Sequence, residues 1–151
     1  MARIKILMCF MFFSCSDSVV YEEYQKINNL GWCTDTPLQY KFKIKDTLST
    51  YKIKLHIRHQ TEYEYQNLIF FMHTNKTDTL DVDLCDKYGS WLGSGFGDMR
   101  ELSIVLNNEK KFDRKKEYTI LLEQAMRFGE KEKIKHLKHI KNIGVQLLKN
   151  E

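Results

Sequence analysis

Two consecutive stretches decide the fold: Tyr40-Lys-Phe-Lys-Ile-Lys-Asp46 and, after a short polar break, Tyr51-Lys-Ile-Lys-Leu-His-Ile-Arg58. In the first, Tyr40, Phe42 and Ile44 alternate with Lys41, Lys43 and Lys45. In the second, Tyr51, Ile53, Leu55 and Ile57 alternate with Lys52, Lys54, His56 and Arg58. Successive side chains of a strand point to opposite faces, so a period of two sets an apolar face against a core and a cationic face in solvent. Asp46 to Thr50 reads as the turn between them, which predicts an antiparallel hairpin.

The same pattern recurs in both directions. Leu80, Val82 and Leu84 alternate with Asp81 and Asp83, and Leu102, Ile104 and Leu106 with Ser103, Val105 and Asn107. Tyr118 to Gln124, Ile143 to Leu148 and, near the start, Val19 to Tyr24 add further strands. Asn67 to Met72 is continuously apolar and aromatic, which suits a central strand. Short strands with polar turns predict an all-β fold, an antiparallel β-sandwich that is jelly-roll-like or immunoglobulin-like. One segment breaks the pattern. In Glu130 to Lys141, Ile134, Leu137 and Ile140 recur every three residues, predicting a short C-terminal helical segment. The length of 151 residues, 42% of them hydrophobic and only one of them Pro, fits one globular domain with a core and excludes disordered or Pro-rich classes.

The N-terminus reads as an address. Arg3 and Lys5 precede eight apolar residues, Ile6 to Phe13, a length that fits a signal-peptide core and is too short to span a bilayer. Ser14-Cys15 follows, then the polar Ser16, Asp17 and Ser18. A small residue and a Cys just where hydrophobicity ends is the pattern of a bacterial lipoprotein signal. Residues 1–14 are therefore read as a signal peptide, Cys15 as the lipid attachment point, 15–18 as a tether and 19–151 as one β-sandwich domain. Cys is required at the anchor because only a thiolate is nucleophilic enough to be alkylated there. The signal carries Cys9 away and leaves Cys33 and Cys85, which can either form a disulfide in an oxidising envelope or stay as buried thiols.

Candidate chemistry is sparse. The Gly-rich segment Gly89-Ser-Trp-Leu-Gly-Ser-Gly-Phe-Gly97 lacks the Lys-Ser/Thr end of a phosphate-binding loop, and Leu92 removes the nucleophile-elbow reading of Ser94. It reads as a tight loop pinned by Trp91 and Phe96. His56 and His59 fall on opposite faces of one strand, and His136 with His139 lacks a third ligand, so no metal is expected and the histidines read as solvated. Asp81 and Asp83 read as polar-face residues, without the Gly-spaced loop of a calcium site. The lysines of the C-terminal segment and of 41–54 read as a solvated face or as weak attraction to anionic lipid, not as a nucleic-acid site. No paired general acid and base stands out, and no cofactor or small-molecule substrate is implied. A carbohydrate-binding module stacking sugars on Trp91, Tyr63 and Tyr65 is the rival reading.

Several segments, in order along the chain, carry a resemblance. They are Val20-Tyr-Glu-Glu-Tyr24, Trp32, Phe42-Lys-Ile-Lys-Asp46, Leu55-His-Ile-Arg58, Tyr63-Glu-Tyr65-Gln-Asn67-Leu68, Leu84-Cys-Asp86, Trp91-Leu-Gly93-Ser-Gly95-Phe-Gly97-Asp98, Gln124-Ala-Met126-Arg127 and Ile140-Lys-Asn-Ile-Gly144. Together they resemble the gliding-motility lipoprotein GldH family of Bacteroidota. Glu64 stands where the family has Pro, and Cys33 and Cys85 lie outside its pattern. The resemblance implies an outer-membrane lipoprotein, held in the cell envelope by its N-terminal lipid. It also implies a non-enzymatic role among protein partners of the gliding and type IX secretion machinery. It marks Arg58, Tyr65, Asn67, Trp91, Gly93, Gly95, Gly97, Asp98, Gln124, Met126 and Arg127 as its interaction or motif residues.

Overall fold

The computed structural model describes residues 18–129 and 132–150. The proposed signal peptide and Cys15 lie outside them. Eight strands carry the fold: β1 (Ser18–Lys26), β3 (Leu38–Lys43), β4 (Tyr51–Gln60), β5 (Asn67–His73), β6 (Thr77–Asp83), β7 (Met99–Lys110), β8 (Glu117–Gln124) and β12 (Ile140–Lys149). Four two-residue strands sit in the connections: β2 (Trp32–Cys33), β9 (Arg127–Phe128), β10 (Glu132–Lys133) and β11 (His136–Leu137).

Two four-stranded antiparallel sheets result, one in the order β1-β12-β4-β7 and the other β3-β8-β5-β6. This interleaving of early and late strands is the jelly-roll order, which decides between the two sandwich types left open by the sequence. Their inner faces make one core, with Tyr40, Leu55, Ile57, Leu68, Phe70 and Leu122 almost fully buried. Each such aliphatic or aromatic side chain contributes roughly 1.5–3 kcal/mol by leaving water. Tyr40 spans the sandwich, its hydroxyl donating to the Ile143 carbonyl of the facing sheet at 2.8 Å. The continuous apolar run at 67–73 is the interior strand β5, flanked by β8 and β6.

Two expectations fail here. Residues 40–43 and 51–58 both lie in strands, while 44–46 open a loop, and the two strands do not form a hairpin. β3 pairs with β8, and β4 lies between β12 and β7 in the other sheet. Alternation reports that one face is buried; it does not name the neighbouring strand. Among the described residues of 132–141 the C-terminal helical segment is absent as well. Instead Ile134 lies between the two-residue strands β10 and β11, Leu137 on β11, and Ile140 opens β12, with Leu137 and Ile140 buried. The segment's backbone bonds run across the chain and not along it, Thr34 N–H to Lys135 O at 3.1 Å and Ile134 N–H to Met126 O at 3.0 Å. His139, at φ 66°, breaks the run before β12.

The connections alternate between the two ends of the sandwich. At one end Ser18, Lys149, Tyr51 and Lys110 lie side by side across the first sheet. This entry end carries the loops 44–50, 74–76 and 111–116. The far end carries 27–37, 61–66, 84–98 and 125–139.

Candidate partner-binding end

The far end gathers most of the segments singled out in the sequence. The 84–98 connection folds back onto β7 through paired bonds, Ser94 N–H to Glu101 O at 3.0 Å and Glu101 N–H to Ser94 O at 2.7 Å. Two glycines permit this. A Cβ on Gly93 would stand 2.1 Å from Glu101 O, and one on Gly95 only 1.9 Å from Met99 O. Gly93 also holds φ 79°, a conformation that costs other residues strain. Asp86 shapes the first turn by accepting from Tyr88 N–H at 2.8 Å and Ser90 N–H at 2.9 Å. Asp98 fastens the loop to the end of β4, its backbone carbonyl accepting from Thr61 N–H at 2.7 Å and its carboxylate from the Gln60 amide at 2.9 Å.

Trp91 anchors the loop from inside. Its ring stands edge-on to His59 with centroids 4.7 Å apart and lies 6.5 Å from Tyr63, which in turn meets Tyr65 at 5.6 Å. The Tyr63 hydroxyl donates to Asn67 O at 3.0 Å, while the Asn67 amide donates to Asp81 at 2.7 Å. His59 has no exposed surface. Burial holds its pKa below the ordinary range, and the Arg100 charge adds to this. Its Nδ1 pairs with Gln60 O at 3.0 Å, and its Nε2 is buried without a partner among the described residues.

Gln124 and Met126 act as a second fastening. Gln124, 1% exposed, donates to Ile134 O at 2.6 Å and Trp32 O at 3.3 Å, and accepts from Met126 N–H at 2.7 Å. One side chain thus satisfies three backbone groups and ties together two connections, 27–37 and 125–139. Met126 is buried, with its sulfur 3.2 Å from Ile69 N. Arg127 differs: it is exposed on β9 and has no side-chain partner among the described residues.

Outward, the same fastened loop shows apolar surface. Phe96 is 95% exposed, Tyr88 80%, and Leu92 lies partly open beside them. The loop is therefore fastened from beneath and carries exposed aromatic rings on top, with the Lys87 amine 5.0 Å over Tyr88. Gly89 and Gly97, with φ 83° and 61°, turn the chain at its tip.

Arg58 lies on the outer face of the first sheet, where its guanidinium pairs with Glu101 on β7 and covers the Tyr24 ring at 5.2 Å. Here the register sets Tyr24, Gly144, His56 and Ser103 in one row across four strands. Tyr24 lies flat over Gly144, where a Cβ would come within 2.5 Å of its ring. Its hydroxyl is pushed up by burial and by Glu101. Sequence reasoning met Tyr24 only inside a resemblance segment and singled out neither Glu101 nor Ser103, because nothing but the strand register brings them together. Ser103 Oγ lies 2.7 Å and Glu101 Oε1 3.5 Å from the same His56 Nδ1. A hydrolytic triad needs serine and carboxylate on opposite ring nitrogens; here Nε2 is buried with no partner among the described residues.

The remaining sequence candidates separate. Cys33 is half-buried on β2 and Cys85 is buried beside Trp91, and both are free thiols, not a disulfide. His56 and His59 do face opposite sides of β4, but both are buried, not solvated. Among the described residues, no three His, Cys, Asp or Glu side chains converge on a point.

The family described as GldH lipoprotein matches residues 19–147. A gliding motility lipoprotein GldH homolog of Christiangramia forsetii is 30% identical, covering 97% of this chain and 93% of its own. The gliding motility lipoprotein GldH of Flavobacterium johnsoniae is 24% identical over 95% of this chain and 93% of its own. No solved structure matches.

Proposed function

The chain belongs to the GldH lipoprotein family, and from that premise we propose that it is a lipid-anchored, non-catalytic component of the gliding apparatus. In this reading it sits at the outer membrane, is coupled to type IX secretion, and holds a protein partner at its far end. Cys15 is the anchor. Each buried acyl methylene contributes about 0.8 kcal/mol, so two or three chains hold the protein firmly.

The observation that carries the reading is the fastened 84–98 loop with its exposed aromatic rings. Exposed aromatics on an ordered loop lose little conformational entropy on docking, and such residues dominate protein interfaces. The rival sugar-stacking reading loses support because Tyr63 is buried and the rings of Trp91, Tyr63 and Tyr65 pack against one another and His59.

The test is a Tyr88→Asp, Phe96→Asp double variant, followed by crosslinking in cells and a gliding assay. Both side chains project into solvent, so stability should change by no more than about 0.5 kcal/mol. Crosslinks to the partner and gliding should be lost together. A folded variant that glides and crosslinks normally sinks this assignment of the docking surface. Cys15→Ala should separately release the protein from the membrane fraction.

A further inference from the structure

At the entry end, chain geometry and charge meet. β1 begins there at Ser18, beside Lys149 of β12. The three residues from Cys15 to Ser18 reach at most about 10 Å, so an acylated Cys15 holds this end close to the bilayer. The Debye length at physiological ionic strength is about 8 Å, so charges on this end act on the headgroups directly.

Those charges are predominantly positive. Lys43 and Lys45 project from one edge, and Lys110, Lys111, Arg114, Lys115 and Lys116 from the 111–116 connection and the strand end before it. Glu109, Asp113 and Glu117 oppose them only in part. The other nearby acids are engaged, Asp46 by Lys149 at 2.8 Å and Asp78 by Lys76 at 2.9 Å.

The surface between these cations is mixed, with aromatic rings among polar groups such as Asn75, Thr119 and Glu117. A cavity of about 240 Å³ opens among them, walled by Phe42, Phe112 and Tyr118. The Lys116 amine lies 4.9 Å over the Tyr118 ring and the Lys110 amine 5.9 Å over Phe112. Leu48, 95% exposed, tips the neighbouring turn, which Asp46 fixes by accepting from Leu48 N–H at 2.9 Å and the Ser49 hydroxyl at 2.7 Å. Cations beside projecting apolar groups suit an interface of anionic headgroups over acyl chains.

We infer that the entry end is a docking face for an anionic lipid surface, which seats the sandwich on the membrane and turns the 84–98 loop away from it. This rests on the anchor at Cys15. Each basic residue near such a surface contributes about fivefold in partitioning.

The full lipidated chain, reconstituted into phosphatidylcholine vesicles with or without phosphatidylglycerol, is treated with an amine-acetylating reagent and mapped by mass spectrometry. Lys111, Lys115 and Lys116 should react several-fold more slowly on the anionic vesicles, while far-end Lys87 and Lys138 should not change. Lys43→Glu with Lys45→Glu should return the three to the neutral-vesicle rate. Equal reactivity on both vesicles, or protection untouched by the double variant, overturns the inference and leaves the anchor standing. A chain that leaves both kinds of vesicle overturns the anchor, and this inference with it.

Discussion

The two ends of the sandwich are built from opposite materials. At the far end the long connections are tied together by buried side chains: Trp91 against His59, Gln124 across two connections, and Gly93 and Gly95 against β7. At the entry end the connections are mostly shorter and cationic; one buried ring, Phe112 against Phe42 and Tyr51, pins the 111–116 connection, and the rest of the end rests on exposed polar contacts such as Asp46 with Lys149. The difference teaches where each kind of energy is useful. Buried packing fixes a shape, which a protein partner can recognise. Exposed charge fixes little in water, where surface pairs contribute only about 0–1 kcal/mol, but it acts at close range on an anionic surface.

Substitutions should reveal this contrast in graded form. Gly93→Ala should be the most damaging, costing about 3 kcal/mol in urea denaturation, since it combines left-handed strain with a clash against backbone. Were it no worse than an entry-end change, the far end would not be the rigid one. Trp91→Ala should cost about 2 kcal/mol, less than for a fully buried ring, and should loosen the loop as seen by amide hydrogen exchange.

A pH effect comes next. Burial lowers the His59 pKa in the folded chain, so the unfolded chain, with a histidine near 6.5, binds the proton more readily. The stability from neutral His59 is then present above pH 6.5 and is lost as pH falls below it. His59→Phe should flatten that part of the stability curve; an unchanged slope would show that another group is responsible. The smallest effect belongs to Lys149→Met. It frees the Asp46 carboxyl, which Lys149, Ser49 and the Leu48 amide hold well below its usual range. Its slight lowering of Tm should vanish in high salt, and a loss that survives salt would mean the entry end is packed more firmly than its exposure suggests.

Much of the strand content was legible because alternation is a local property. Tyr40 with Phe42, and Tyr51 through Ile57, advertise a buried face whatever lies opposite. What they could not reveal was that β3 and β4 belong to different sheets, since pairing is settled by contacts distant in sequence. The spacing of Ile134, Leu137 and Ile140 misled for a related reason: a helix and an irregular path that dips repeatedly into a core leave the same three-residue rhythm. Of the candidate site, the loop 89–97 was visible from its glycines and aromatics. The histidines were not, because a polar side chain carries no mark of burial, and His59 is enclosed only once Trp91 folds over it.

The sequence by itself determined that this chain makes a β-sandwich, because a period of two is local and needs no partner. Only the tertiary structure decided that the sandwich is a jelly roll, that the Trp91 and Gln124 segments meet at one end, and that the lysines of residues 43–45 and 110–116 meet at the other. Those are consequences of which strands pair across long stretches of chain, and that choice is made by the whole core at once.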